Sequence, residues 1–200
     1  MKFLRLAFVL AILLTCLVPV SSAKTKKEDA AKSAVPVTVD NAFVQKTFGE
    51  DCTVNAAVPA QVADLDGDGV DDIVIPARCT NPMINVAEHK YTVIDPASAF
   101  YGLGDPHITT EFSTLQPEQR SLALLIIHGA GKEGWKSDAP KAKFLIVNLA
   151  YKTITVKKFQ VRKKTIEAIY VEELSEDQMT SVIMWDGKKY RYEPLGSAMQ

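Results

Sequence analysis

Residues 64–72 read Asp-Leu-Asp-Gly-Asp-Gly-Val-Asp-Asp, and residues 73–77 continue Ile-Val-Ile-Pro-Ala. That abrupt change from carboxylates to β-branched side chains decides how the chain is expected to fold. Asp64, Asp66, Asp68 and Asp72 stand at the first, third, fifth and ninth places of the stretch, with Gly67 and Gly69 between them. Carboxylates so close repel one another unless a cation sits among them. A hard dication that gathers roughly six to eight oxygens suits such a pliable cage, and calcium is that ion. The expected cofactor is therefore Ca2+, held by the side chains of Asp64, Asp66, Asp68 and Asp72 and by the Val70 carbonyl. Gly67 and Gly69 supply the positive φ that curling around an ion demands. The run after the loop reads as a strand, and the apolar stretch 53–62 before it is extended in character.

An EF-hand is excluded, because its loop needs a glutamate at about position twelve and a helix on either side. Counted from Asp64, that position is Ile75. The pattern Asp-x-Asp-Gly-Asp-Gly-x-x-Asp followed by an apolar strand resembles instead the calcium loop of FG-GAP repeats, also called VCBS or integrin-α-type repeats. The resemblance covers about residues 52–79 and implies a loop between two strands that ligates through its alternate positions. Thrombospondin-type repeats share the acidic spacing, but they continue with a further acidic residue and a cysteine where this chain has Ile75 and Pro76. FG-GAP repeats normally recur, each as one propeller blade, and a closed propeller needs roughly four blades or more. A single motif without a recurring period points to one calcium-loop hairpin in an antiparallel sheet or sandwich, not to a complete propeller.

Residues 1–23 read as a secretory signal peptide. Lys2 and Arg5 open it, an apolar stretch runs from Leu6 to Leu17, and Ser21, Ser22 and Ala23 form a small-residue cleavage site. The stretch is shorter than the ~20 residues of a spanning helix, so no transmembrane span is expected in the mature chain. Cys16 follows Leu-Leu-Thr rather than the small residue that lipoprotein cleavage prefers. Removing Lys2 and Arg5 takes the 23 basic residues to 21 against 24 acidic ones, a charge of −3. So slight a balance gives no general attraction to nucleic acid or to anionic membrane. The expected location is secreted or periplasmic, where thiols oxidise. Cys52 and Cys79 bracket the acidic loop almost symmetrically, and a hairpin about that loop brings them together. A bridge closing about 26 residues stabilises by roughly 3–4 kcal/mol on chain-entropy grounds.

Residues 24–34 are charged and poor in large apolar side chains, a flexible lead-in. Residues 35–200 have globular composition and length enough for one core. A short helix is expected over 40–48, capped by Asp40 or Asn41 and closed by Gly49, and a second near Thr114 with Pro117 in its first turn. Strands are expected over 122–128, 143–149, 153–161 and 165–171. Asp186-Gly187, between 180–185 and 188–193, signals a type I′ hairpin. The fold class is mainly β with a few short helices.

Enzymatic readings find little support. Residues 124–131, Leu-Leu-Ile-Ile-His-Gly-Ala-Gly, resemble the strand and oxyanion loop of an α/β-hydrolase, but the Gly-x-Ser-x-Gly elbow of that family is absent. The P-loop and dinucleotide fingerprints are absent too. His89, His107 and His128 are scattered without metal-ligand spacing and read as surface or strand-end residues. Asp105 beside His107 falls in an ordinary turn composition. Lys157, Lys158, Arg162, Lys163 and Lys164 read either as a patch for a polyanion such as envelope polysaccharide or as a solvated sheet face with edge lysines. The sequence thus describes a non-enzymatic exported domain with a structural Ca2+. The alternatives are a cell-envelope adhesion or ligand-binding module, with a polysaccharide or protein partner, and a small secreted hydrolase built on His107 or His128.

Overall fold

The computed structural model describes residues 34–95, 119, 121–174 and 179–197. The leader, the lead-in up to residue 33, the helix expected near Thr114 and the Asp105–His107 pair lie outside the described residues. In chain order the elements are β1 (Val35–Val37), α1 (Asn41–Phe48), β2 (Cys52–Val54), β3 (Ala60–Ala63), β4 (Asp72–Cys79), α2 (Val86–His89), β5 (Thr92–Ile94), β6 (Leu122–His128), β7 (Ala142–Ile146), β8 (Tyr151–Val161), β9 (Lys164–Glu173), β10 (Met179–Trp185) and β11 (Tyr190–Ser197). They form a seven-stranded sheet in the order β1-β3-β4-β6-β7-β5, with β2 also paired to β4, and a four-stranded sheet in the order β11-β10-β9-β8. The fold is mainly β, a sandwich with two short helices among the described residues and no propeller.

A strand covered on both faces has no reason to alternate, and every residue of β6 is buried. Leu122, Leu124 and Ile126 join Val74, Phe144, Ile154, Ile169 and Ile183 in the core between the sheets. Ala123, Leu125 and Ile127 belong to the opposite face, with Ile73, Ile75, Val44 and Phe48 beneath α1. That helix forms where expected. Asp40 accepts the Phe43 N–H at 2.8 Å, and Gly49 ends the helix at φ +104° while its N–H donates to the Gln45 carbonyl. Val44 and Phe48, one turn apart, are the side chains it buries.

Cys52 and Cys79 face each other in register across β2 and β4 and form a disulfide. The stretch 53–62 is not one strand, however. It breaks at a turn where the Val58 N–H donates to the Asn55 carbonyl, so β3 pairs with the start of β4 and β2 with its end. Sulfur bridge and acidic loop therefore sit at opposite ends of β4.

Two further expectations are corrected. The run 143–149 leaves the sheet after Ile146, because Asn148 takes φ +55° and its amide bonds Asp95 as the chain crosses to the smaller sheet. The Asp186-Gly187 connection is a four-residue loop, not a type I′ turn. Such a turn needs positive φ at both central residues, but Gly187 alone has it, and Asp186 instead accepts the N–H groups of Lys188 and Lys189. Separately, β5 pairs with β7 in parallel. The strand resembling a hydrolase core, β6, is antiparallel to both its neighbours, unlike the parallel sheet of that fold.

Candidate metal centre

The last register pair of β3 with β4 is Ala63 with Asp72, so residues 64–71 form the connection between them. Gly67 at φ +78° and Gly69 at φ +85° turn it. The loop then closes on its own side chains. Asp64 accepts the N–H groups of Gly67 at 2.8 Å, Asp68 at 3.0 Å and Gly69 at 2.9 Å. Asp66 accepts from Asp68 at 3.2 Å, and Asp68 from Val70 at 2.8 Å. Aspartate serves this purpose because its short arm reaches backbone N–H groups a few residues on.

Asp72 ties the loop to the rest of the molecule. It is buried, and one carboxylate oxygen accepts from Leu65 at 2.8 Å and Asp66 at 3.2 Å. The other accepts the Gly129 N–H at 2.8 Å, across 57 residues of sequence. Burial pushes this carboxyl up to about 7; the Gly129 N–H opposes the rise and the Asp66 charge adds to it. Gly129 itself must be glycine. A Cβ there would lie 2.3 Å from the Asp71 carbonyl oxygen, and one at Gly134 would lie 2.8 Å from the same atom. The His-Gly-Ala-Gly stretch therefore has a packing reason: the backbone of the acidic loop lies directly against it.

Oxygens of Asp64, Asp66 and Asp72 converge within 4.8 Å of one another. Calcium–oxygen distances of about 2.3–2.6 Å allow two ligands of one ion to stand up to ~5 Å apart, so the three fit around one ion. A carboxylate offers about four lone-pair sites. Backbone donors take three at Asp64 and three at Asp72, which leaves each a site for a cation. The donor set is oxygen throughout and suits a hard dication. Asp68 stands outside this group, exposed at the rim, and Val70 lies beside it with its N–H on the Asp68 carboxylate.

A cation already borders the loop. The Lys141 ammonium bonds Asp66 and lies 3.1 Å from Asp68. Those two carboxylates raise its pKa above the ordinary lysine value. Partial burial works against the ionised Asp68, but the Val70 N–H and Lys141 together leave its carboxyl below the usual range. Beneath the loop lies His128, whose Nδ1 is 3.4 Å from Asp66 and whose Nε2 is 2.6 Å from the Tyr190 hydroxyl. The rings of Phe144 and Trp185 pack against it at 5.0 Å and 4.9 Å. Burial lowers its pKa against the pull of Asp66. The strand-end placement of His128 holds, but it is no surface residue, since β6 is covered on both faces. His89 ends α2, half-buried.

Lys141 and Tyr190 are members of this neighbourhood that carry no local signal in the sequence, and the signal at Gly129 points to a different chemistry. Lys141 is 75 residues from Asp66, and only the β6–β7 register brings it there. The basic run occupies the tip of the β8–β9 hairpin with all five side chains exposed. Strand alternation puts Lys157 and Lys158 on opposite faces, so the five do not form a one-sided patch. Beyond Gly134, Trp135 meets Phe43 edge-on at 5.4 Å. The pair borders a groove of about 440 Å³ lined also by Lys46, Lys136 and Lys143 and by the carboxylates Asp40 and Asp138, with Lys46 3.3 Å from Asp138. No protein-family model matches the chain, and neither a curated protein nor a solved structure does.

Proposed function

We propose that the chain is an exported, non-enzymatic calcium-binding domain in which the ion is structural. Asp64, Asp66 and Asp72 are its inner ligands, and Asp68 and the Val70 carbonyl supply further oxygens. The observation that carries this reading is the convergence of three carboxylate oxygens within 4.8 Å at the turn of a β-hairpin. The resemblance of residues 52–79 to an FG-GAP loop supports it, as does the hairpin setting that such a loop implies. The ion neutralises the carboxylates, reinforces a loop that residues 64–71 already close on their own side chains and, through Asp72 and Gly129, steadies the connection that carries Trp135. Export is proposed from the leader-like residues 1–23. The disulfide fits an oxidising compartment, and among the described residues no helix is long and apolar enough to cross a membrane.

Thermal melts with calcium and with EGTA test the reading. Exported modules commonly bind calcium with dissociation constants of about 10⁻⁴–10⁻³ M. At tenfold excess over that constant the ion adds about 1.4 kcal/mol, a rise of roughly 3–6 °C for a domain of this size. Superimposable melting curves in 10 mM calcium and in EGTA, with 10 mM chosen as about ten times the weakest such constant, would remove the reading.

A ligand-binding module of the cell envelope is the second reading, favoured by the groove beside Trp135. Lys143 lines it half-buried, donates to the Thr47 carbonyl at 3.1 Å and has no carboxylate partner among the described residues. Lys46 is paired with Asp138, so Lys136 and Lys143 are the cations this groove would offer to an acidic polysaccharide. Tryptophan fluorescence titrated with such a polymer, with and without calcium, decides it: no change in either condition excludes this second reading.

A further inference from the structure

We propose that Lys141 is a tethered competitor of the calcium ion, neutralising the acidic loop when calcium is scarce and giving way when calcium binds. The inference rests on the calcium reading above and names the residue that sets the threshold of the site.

The backbone places Lys141 and the side chain leaves it free to move. Its N–H donates to the His128 carbonyl at 2.9 Å, and the next residue, Ala142, is the register partner of His128. The Cα is therefore fixed at the end of the β6–β7 ladder, beside the loop. The side chain is 52 % exposed, so it can swing into water without uncovering the core. Its ammonium bonds Asp66, one of the three converging carboxylates, and Asp68, the fourth expected ligand.

The Asp66 side chain is only 2 % exposed. A carboxylate so enclosed needs a positive partner or it destabilises the fold. Lys141 meets that need in the calcium-free protein. A dication seated among Asp64, Asp66 and Asp72 would stand within a few ångströms of the same ammonium, and the two positive charges repel. Asp66 can serve both only by weakening its hold on each. Lysine suits this exchange better than arginine, because its ammonium is a compact, strongly hydrated point charge on a flexible stem.

Calorimetric titration of calcium into the wild-type protein and the Lys141→Met variant tests the proposal, with melting curves of both in EGTA and circular dichroism to verify folding. Removing the ammonium should tighten calcium binding about tenfold, from the repulsion of a dication and a unit charge a few ångströms apart in a largely aqueous setting. The same variant should melt several degrees lower in EGTA and recover the difference in saturating calcium. Lys141→Arg, which keeps the charge, should bind close to wild type. Equal or weaker calcium binding by a folded Lys141→Met protein overturns the proposal while the calcium reading stands. Absence of binding heat in wild type and variant alike overturns both. Lysine side-chain NMR of the intact wild-type protein gives an independent readout: the Lys141 ammonium resonance should be slowed in exchange in EGTA and averaged with bulk lysines in calcium. An ammonium signal indifferent to calcium also overturns the displacement.

Discussion

Gly129→Ala adds one methyl group where the acidic loop and the end of β6 touch, and its cost can be worked from the contacts. The new carbon would lie 2.3 Å from the Asp71 oxygen, 2.5 Å from the Gly134 carbonyl carbon and 2.7 Å from the Trp135 nitrogen, all backbone atoms. No side-chain rotation relieves such contacts, so the segments must part by roughly 1 Å to reach ordinary van der Waals separation. That movement takes the Gly129 N–H, now 2.8 Å from Asp72, out of hydrogen-bond range. Losing a buried hydrogen bond costs about 1–3 kcal/mol, and forcing extra volume into a packed region costs about 1–3 kcal/mol more. Alanine stiffens the unfolded chain and returns about 0.4–1 kcal/mol. The net expectation is a loss of about 1–6 kcal/mol, measured by urea unfolding followed by circular dichroism in EGTA. Calcium affinity measured on the same protein should fall several-fold, because Asp72 moves with the loop. A variant within about 0.5 kcal/mol of wild type, the range of an ordinary surface substitution, would refute the close packing of loop against strand.

The carboxylates should not be equivalent. Asp66→Ala should abolish the thermal shift on adding calcium, whereas Asp68→Ala, outside the converging group, should retain a reduced one; equal shifts in the two melting experiments would contradict the geometry. Reducing the Cys52–Cys79 bridge should cost roughly 3–4 kcal/mol in urea unfolding yet leave the calcium shift intact, since the bridge and the loop sit at opposite ends of β4. Tyr190→Phe removes the hydroxyl that meets His128 at 2.6 Å and should cost about 1–3 kcal/mol with calcium affinity preserved in a calorimetric titration.

How much of this was legible in the sequence depends on how local each cause is. The helix from Asn41 is written in adjacent residues, a capping aspartate before it and a glycine after it, and it forms as read. The acidic loop is equally self-contained, since Asp64, Asp66 and Asp68 fold it by bonding N–H groups two to five residues on. The cysteines needed only the knowledge that a hairpin lies between them. The failures share a different origin. Asn148 ends β7 because the chain must change sheets, which no pattern in 143–149 announces. Asp186-Gly187 carries the composition of a tight turn, but the Asp186 side chain offered the backbone a second way to close. His128 looked like a strand end near water because the covering of β6 by two layers comes from residues far away in the chain.

The same distance explains why the contacts of Gly129 and Lys141 stayed hidden, and together they bear on how the proposed calcium centre would behave. A glycine after a buried strand fits an oxyanion loop and a close backbone approach equally well; what decides is the group that comes near it, and here that group is the Asp71 carbonyl. A lysine before a strand is unremarkable until the β6–β7 register sets it beside a carboxylate that water scarcely reaches. Asp66 then has a cation at hand whether calcium is bound or not. On the proposed calcium reading the loop keeps its shape in both conditions, and the stabilisation calcium would add is the difference between two positive partners rather than the full cost of leaving the carboxylates unpaired. A modest melting shift is thus the signature expected of this centre, and a collapse of the fold on adding EGTA would show that the lysine does not stand in for the ion.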